Sequence, residues 1–233
     1  MWIKICGITS LEDGRIAAAA RADAVGFVFA ESPHRVTPET VRKITDNLPA
    51  HIEKIGVFVN ADIGSVLHTI KRAGLTGVQL HGEDPSGIAD SLREQGQKIC
   101  SAFRVVNVLH YAGDPDRFLA QLRILTNDGG TKTILVDTGI AGRQGGTGIP
   151  FDWKAAEPGF RNAAAKSQLI AAGGLNTENV ELAIQILQPW GVDVSSGVEF
   201  APGRKQAERV SMFVRVARAA ALSLNQVNAS TQR

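Results

Sequence analysis

Short apolar, β-branched runs alternate with amphipathic helical segments from one end of the chain to the other, and that alternation leaves few folds open. Eight strand candidates can be read: Trp2–Cys6, Ala24–Phe29, Lys54–Val59, Gly77–Leu80, Lys98–Phe103, Thr133–Asp137, Gln168–Ala172 and Val192–Ser195. Most are nearly continuously apolar, as strands buried on both faces must be. The segments between them carry helix punctuation. Thr37-Pro38-Glu39 precedes Val41, Ile44 and Leu48; Asp62 precedes Ile63, Val66, Leu67 and Ile70, with Gly74 closing; Asp84-Pro85, Asp114-Pro115 and Asn176 open later stripes. A helix apolar on one side only belongs outside the sheet. Eight βα units within 233 residues, 44% of them hydrophobic, predict a single α/β domain, a (β/α)8 TIM barrel over residues 1–224. The alternative, a doubly wound open sheet, lacks its commonest glycine-rich GxGxxG turn after the first strand. From Asn225 to Arg233 the chain is polar and aperiodic, so a disordered tail is expected.

In a barrel the carboxyl ends of all strands face one side, so the residues there read as one surface. Cys6 ends the first strand and runs into Gly7, with Thr9 and Glu12 in the form of a capping box. It is a candidate for thiol chemistry, or a small buried hydrophobe. The loop after the second strand supplies His34 and Arg35, whose guanidinium could grip a planar carboxylate or stand solvated. The fourth strand ends at His81, more structural than catalytic by its surroundings. Asp137 ends the sixth; a helix cap is the ordinary role for such an aspartate, but Gly139, Gly142, Gly145, Gly146 and Gly148 follow it, so no helix is expected to start there. Gly173-Gly174 and Ser195-Ser196-Gly197 follow the last two strands, where backbone N–H groups and hydroxyls can cradle phosphate. The 25 basic and 23 acidic residues are well mixed, which argues against a nucleic-acid surface, and no window approaches a membrane span. Two cysteines without paired spacing, Cys6 and Cys100, suggest reduced thiols in a cytoplasmic protein, and no metal-ligand spacing is present.

Several of these segments together resemble one family. Lys4-Ile5-Cys6-Gly7-Ile8-Thr9, Asp23–Phe29, Gly56–Asn60, Val78–Gly82, Gly145-Gly146-Thr147-Gly148 with Phe151-Asp152-Trp153, Gly173–Asn176 and Val192–Glu199 closely resemble the phosphoribosylanthranilate isomerases across essentially every βα unit. The resemblance implies a (β/α)8 barrel that performs an Amadori rearrangement in tryptophan biosynthesis, taking N-(5'-phosphoribosyl)anthranilate to 1-(2-carboxyphenylamino)-1-deoxyribulose 5-phosphate. It implies no cofactor and no metal, a small phosphoribosyl substrate as partner, and a monomer or homodimer. By position it makes Cys6 the general base, Asp137 the general acid and Arg35 the clamp on the anthranilate carboxylate. Gly146, His81, Gly173, Gly174, Ser195, Ser196 and Gly197 complete the substrate-binding set. The acid must then be raised from the aspartate reference of ~3.9, and the thiol must fall below ~8.5 or act from a minor thiolate fraction. Ile149-Pro150 departs from the family, where many members carry lysine or glutamine after the glycine loop, and Val106–Lys132 is long for a connection. Two rivals stand beside this reading. A bifunctional isomerase also serving histidine biosynthesis would resemble a pair of aspartates where this chain offers Cys6 and Asp137. A non-catalytic phosphoribosyl-ligand binder would not need that pair.

Overall fold

The structure, a computed structural model, describes residues 1–82, 86–126, 132–140, 143–144 and 149–231. Its barrel strands are β1 (Trp2–Ile5), β2 (Ala24–Val28), β3 (Glu53–Val59), β4 (Gly77–His81), β5 (Arg104–Tyr111), β6 (Lys132–Ile140), β8 (Ser167–Ala171) and β9 (Gly191–Val194). They pair in the order β5-β4-β3-β2-β1-β9-β8-β6, all parallel, and β5 pairs again with β6 to close the ring. The two-residue strand β7 (Arg143–Gln144) folds antiparallel onto the end of β6, and β10 (Glu199–Ala201) with β11 (Arg204–Lys205) makes a hairpin after β9. Among the described residues eight helices surround the ring: α1 (Leu11–Ala19), α2 (Pro38–Thr45), α3 (Ile63–Ala73), α4 (Ser86–Gln97), α5 (Pro115–Thr126), α6 (Trp153–Ala163), α7 (Val180–Leu187) and α8 (Ala207–Thr231). No helix among them is long and apolar enough to cross a membrane.

The expected helix starts form largely as the side chains dictate. Thr37 accepts from the Thr40 N–H with Pro38 in the first turn, Asp62 accepts from Ser65, and Gly74 ends α3 in the left-handed region at φ 66°. At α1 the cap falls one residue later than expected. Ser10 accepts from the Asp13 N–H, while Thr9 donates instead to the Gly203 carbonyl at 2.6 Å. Asp84-Pro85 lies outside the described residues.

Two expectations are corrected. The fifth strand is Arg104–Tyr111 and not Lys98–Phe103. The earlier stretch folds as a tight turn, with the Ile99 and Cys100 N–H groups on the Gly96 carbonyl and Phe103 N–H on Cys100. Phe103 is buried directly over Gly96 of α4 while Ile99 is exposed, so this apolar run packs a helix end. Of the long Val106–Lys132 connection, Val106–Tyr111 belongs to the strand itself and Pro115–Thr126 to α5. At the other end of the chain α8 continues through Asn225 to Thr231, where a loose tail is expected from Asn225. A helix already propagating from Val210 needs no apolar stripe to extend, because each further polar residue costs only tenths of a kcal/mol.

Inside the ring, Trp2, Ala24, Ile55, Val106, Val108, Leu135 and Ile170 form one apolar cluster, separate from the larger core between strands and helices. Its floor, at the amino ends of the strands, is polar and fully partnered. Arg104 chelates Glu53 through Nε at 2.5 Å and Nη2 at 2.9 Å, reaches Gln168 at 3.0 Å, and lies over the rings of Trp2 and Trp190. Glu53 also accepts from Trp2 Nε1 at 3.2 Å. Removing Glu53 leaves a half-buried guanidinium without its anion. Glu53→Ala is expected to lower unfolding free energy by about 2 kcal/mol in a denaturant titration, with the chemistry at the opposite face unchanged.

Candidate active site

Cys6 follows β1 directly and is only 8% exposed, its N–H held by the Val194 carbonyl at 2.8 Å. Gly7 then turns the chain at φ 75°. The thiol has room because β2 carries Gly26 opposite it: a Cβ there would stand 2.7 Å from Cys6 Sγ and 3.0 Å from Lys4 Cε. Lys4 and Asp193 are register partners on β1 and β9, so their side chains lie abreast, and Nζ meets Asp193 Oδ2 at 2.8 Å with the lysine fully buried. Asp137 sits near the end of β6, its Oδ1 accepting from the Thr138 N–H at 2.7 Å, and it is the register partner of His110 on β5.

Burial dominates the electrostatics of these groups. It raises the Asp137 carboxyl to about 6; the Thr138 N–H opposes the rise, Asp193 adds to it and Lys4 opposes it. Burial also pushes the Cys6 thiol above its ordinary value against the pull of Lys4, so the expectation of a lowered thiol gives way to that of a minor thiolate fraction. His81 is pushed down to about 3, by burial first and then by His110 and Lys4. It is therefore neutral, able to accept from the Gln79 amide at 2.9 Å, and its ring lies 5.6 Å from that of His110.

The two glycine and serine segments meet as a cup. Gly173 and Gly174 both have positive φ, 76° and 66°, and a Cβ on Gly197 would fall 2.0 Å from the Leu175 carbonyl oxygen, so the second loop rests on the first with no room for a side chain. Ser195 and Gly197 are half-buried and Ser196 is exposed. Under the cup, Lys205 Nζ bonds Glu199 at 2.6 Å and the Ser195 carbonyl at 3.2 Å, and Glu199 takes the His34 ring at 2.9 Å. Burial would raise Glu199, but the bonds from His34 and Lys205 hold it at about 2. His34 packs against Gly7, which explains why the loop after β2 lies beside the thiol. Arg35, next along, is 61% exposed and pairs with Glu31 at 2.9 Å. An exposed pair of this kind is worth at most ~1 kcal/mol, so Arg35 can be given up to another carboxylate. Gly146 lies outside the described residues, as do Gly145 and Gly148; beyond them Thr138 Oγ1 bonds the Ile149 carbonyl at 2.8 Å.

Four charged groups of the site escaped the sequence reading: Lys4, Asp193, Glu199 and Lys205. Lys4 and Asp193 carried a signal, a lone charge amid apolar strand residues, which a strand buried on both faces tolerates only when paired.

The fold and this rim of thiol, carboxyl and glycine cup define an enzyme of the (β/α)8-barrel class, with its polar groups at the carboxyl ends of the strands. Among the described residues no three His, Cys, Asp or Glu side chains gather as a metal site. Comparison with known proteins narrows the class. The chain belongs to the N-(5'-phosphoribosyl)anthranilate (PRA) isomerase family, whose model matches residues 3–216. A relative of that name from Geobacter sulfurreducens is 43% identical over 93% of this chain and 98% of its own length. One from Rubrobacter xylanophilus is 41% identical over 93% and 98%. The fold is similar to a crystal structure of phosphoribosyl anthranilate isomerase in complex with reduced 1-(o-carboxyphenylamino)-1-deoxyribulose 5-phosphate, at 34% identity and TM-score 0.78 over 94% of this chain and 99% of that one. It is also similar to the enzyme from Thermotoga maritima, at 35% identity and TM-score 0.77 over the same shares.

A side chain on Gly173 would strike Asp137 Oδ1 at 2.7 Å and Thr138 Oγ1 at 2.4 Å. Gly173→Ala is expected to destabilise the fold by roughly 1–3 kcal/mol, from positive φ and crowding, and to lower kcat more than a cup defect alone would. A variant with wild-type kcat would mean that Asp137 is not placed by this glycine.

Proposed function

We propose that this enzyme isomerises N-(5'-phosphoribosyl)anthranilate to 1-(2-carboxyphenylamino)-1-deoxyribulose 5-phosphate in tryptophan biosynthesis, with Asp137 as general acid and Cys6 as general base. The observation that carries the reading is the order around the rim. Cys6 after β1, Ser195 after β9, Gly173 after β8 and Asp137 on β6 follow one another through adjacent strands, so the glycine cup lies between base and acid. A phosphate held at Gly173-Gly174 and Ser195-Ser196-Gly197 would suspend a ribose between the two groups, with His81 beside it; Gly146 joins the substrate-binding set by the family resemblance alone. Arg35, from the neighbouring loop, would exchange Glu31 for the anthranilate carboxylate. The relatives' shared name and the ligand in the similar crystal structure support the same substrate.

The chemistry suits the residue types. A protonated Asp137 donates to the furanose ring oxygen as the bond from that oxygen to C1 breaks and the anthranilate nitrogen lone pair forms a protonated Schiff base. That cation acidifies the C2 hydrogen, which the Cys6 thiolate removes, giving an enolamine. Ketonisation adds a proton at C1 and releases one from the enol hydroxyl, so Cys6 and Asp137 can return to their starting states without a net co-reactant. The free thiols Cys6 and Cys100 and the small substrate fit a cytoplasmic setting, and the reading leaves both a monomer and a homodimer open to the fold.

Because the base titrates above the acid, the productive pair of thiolate and carboxylic acid is a minority form. Its share is constant between the two values and falls on either side. The ratio kcat/KM is therefore expected to rise with pH through about 6 and to fall on the alkaline side of the thiol's titration. Asp137→Asn should remove the break near pH 6, so that residual kcat/KM climbs unbroken with the thiolate fraction up to the thiol's titration, and, like Cys6→Ala, it should reduce kcat by about 10²-fold or more. Following loss of the substrate's anthranilate fluorescence across pH in both variants tests this, and a break that stays near pH 6 in Asp137→Asn would remove Asp137 as the acid. Arg35→Ala should raise KM; an unchanged KM would sink the carboxylate clamp.

A further inference from the structure

Among the described residues Lys4 is the largest fully buried charged side chain, and no step of the proposed reaction uses it. It stands two residues before Cys6 on β1, on the same inward face. Its aliphatic stem and Cys6 Sγ close over the single space left by Gly26. Nζ lies 2.8 Å from Asp193 Oδ2 and within hydrogen-bonding reach of the Cys6 thiol, while Asp193 Oδ1 is left without a hydrogen-bond partner. An ammonium buried this deeply carries three donors and is costly unless negative charge surrounds it on more than one side. The group beside it that can become a second negative charge is the Cys6 thiol.

We propose that Lys4, anchored by Asp193, is the cation against which the Cys6 thiolate forms, a positioning residue for the base. The inference rests on the isomerase reading for its kinetic part only. Other charged and titratable groups facing this centre are Asp137 on β6, His81 on β4 and Lys205 on β11. His81 is neutral, and Lys205 is committed to Glu199 and Ser195. Lys4 stays charged: burial disfavours its ammonium, but Asp193 and Cys6 together more than compensate. Its field acts on both partners in the same sense, favouring ionised Cys6 and ionised Asp137. Loss of Lys4 therefore moves both groups upward, which a merely structural residue would not do.

The test uses a Cys100→Ser background, in which Cys6 is the only thiol. Thiolate absorbance near 240 nm and the rate of iodoacetamide alkylation are followed against pH for Lys4 and for Lys4→Met, Lys4→Arg and Lys4→Met/Asp193→Asn. Lys4→Met is expected to move the thiolate titration upward by about one pH unit or more, making alkylation about tenfold slower near neutrality. Both limbs of kcat/KM should shift upward together, with KM little changed, and Lys4→Arg should restore much of the thiolate. The double variant removes the buried anion with the cation, and so guards against a single variant that fails to fold. Its shift should be upward but smaller, because the attraction of Lys4 for the thiolate exceeds the repulsion by Asp193. A folded Lys4→Met or double variant with the wild-type thiolate titration would overturn the proposal. A Lys4-dependent thiolate in a wild type that leaves N-(5'-phosphoribosyl)anthranilate untouched would keep the proposal and discard the isomerase reading.

Discussion

Closure of the sheet, made by β5 lying beside β6 in register from Val106 against Thr133 to Tyr111 against Thr138, is the constraint on which the rest depends. An open sheet would leave Cys6 and Asp137 on separate strands with no common cavity. Closed, the ring turns every inward residue near a carboxyl end toward one small volume. Closure also excludes water from that volume. This is why burial, and not any single neighbour, is the largest influence on Asp137, Cys6 and His81 alike.

Dryness creates a problem that the barrel solves by placing opposite charges abreast. Lys4 and Asp193 occupy matching positions on adjacent parallel strands, where side chains on one face are neighbours by geometry alone. The ion pair is thus fixed by register and needs no loop to hold it. At the mouth the logic differs. His34, Glu199 and Lys205 come from three separate segments after β2 and β9, and their shared hydrogen bonds give irregular chain the definition that the ladder gives to strands. Glycines mark where these segments touch: Gly7 under His34 and Ser195, Gly197 on Leu175, Gly26 beneath the thiol.

The barrel and its repeat count were legible because apolar runs and helical stripes obey different periods, and seven of the eight strand candidates overlap the strands that form. The fifth misled because Lys98–Phe103 is apolar for another purpose, closing α4 onto its own end, and local composition does not say what a run packs against. The chain beyond Leu224 misled in the opposite sense, since helix propagation outlasts the pattern that starts it. Cys6, Asp137 and the cup segments were legible as strand-end residues, and the structure gathers them on one rim. Lys4 and Asp193 were visible as charges in apolar strands, but their partnership depends on a pairing between the first and last strands, separated by nearly the whole chain. No local pattern encodes that neighbour.

The floor of the barrel has an optical consequence. Two of the three tryptophans, Trp2 and Trp190, stack at 5.4 Å beneath Arg104 at the end remote from the thiol, and the third, Trp153, begins α6 just beyond the glycine loop. Intrinsic emission from this chain therefore divides by position. The stacked pair reports whether the ring is shut, and Trp153 reports the segment that follows the mouth. Dissolution of the scaffold and rearrangement near the rim can thus be followed separately, without an added label, once the tryptophans of one end are replaced by phenylalanine.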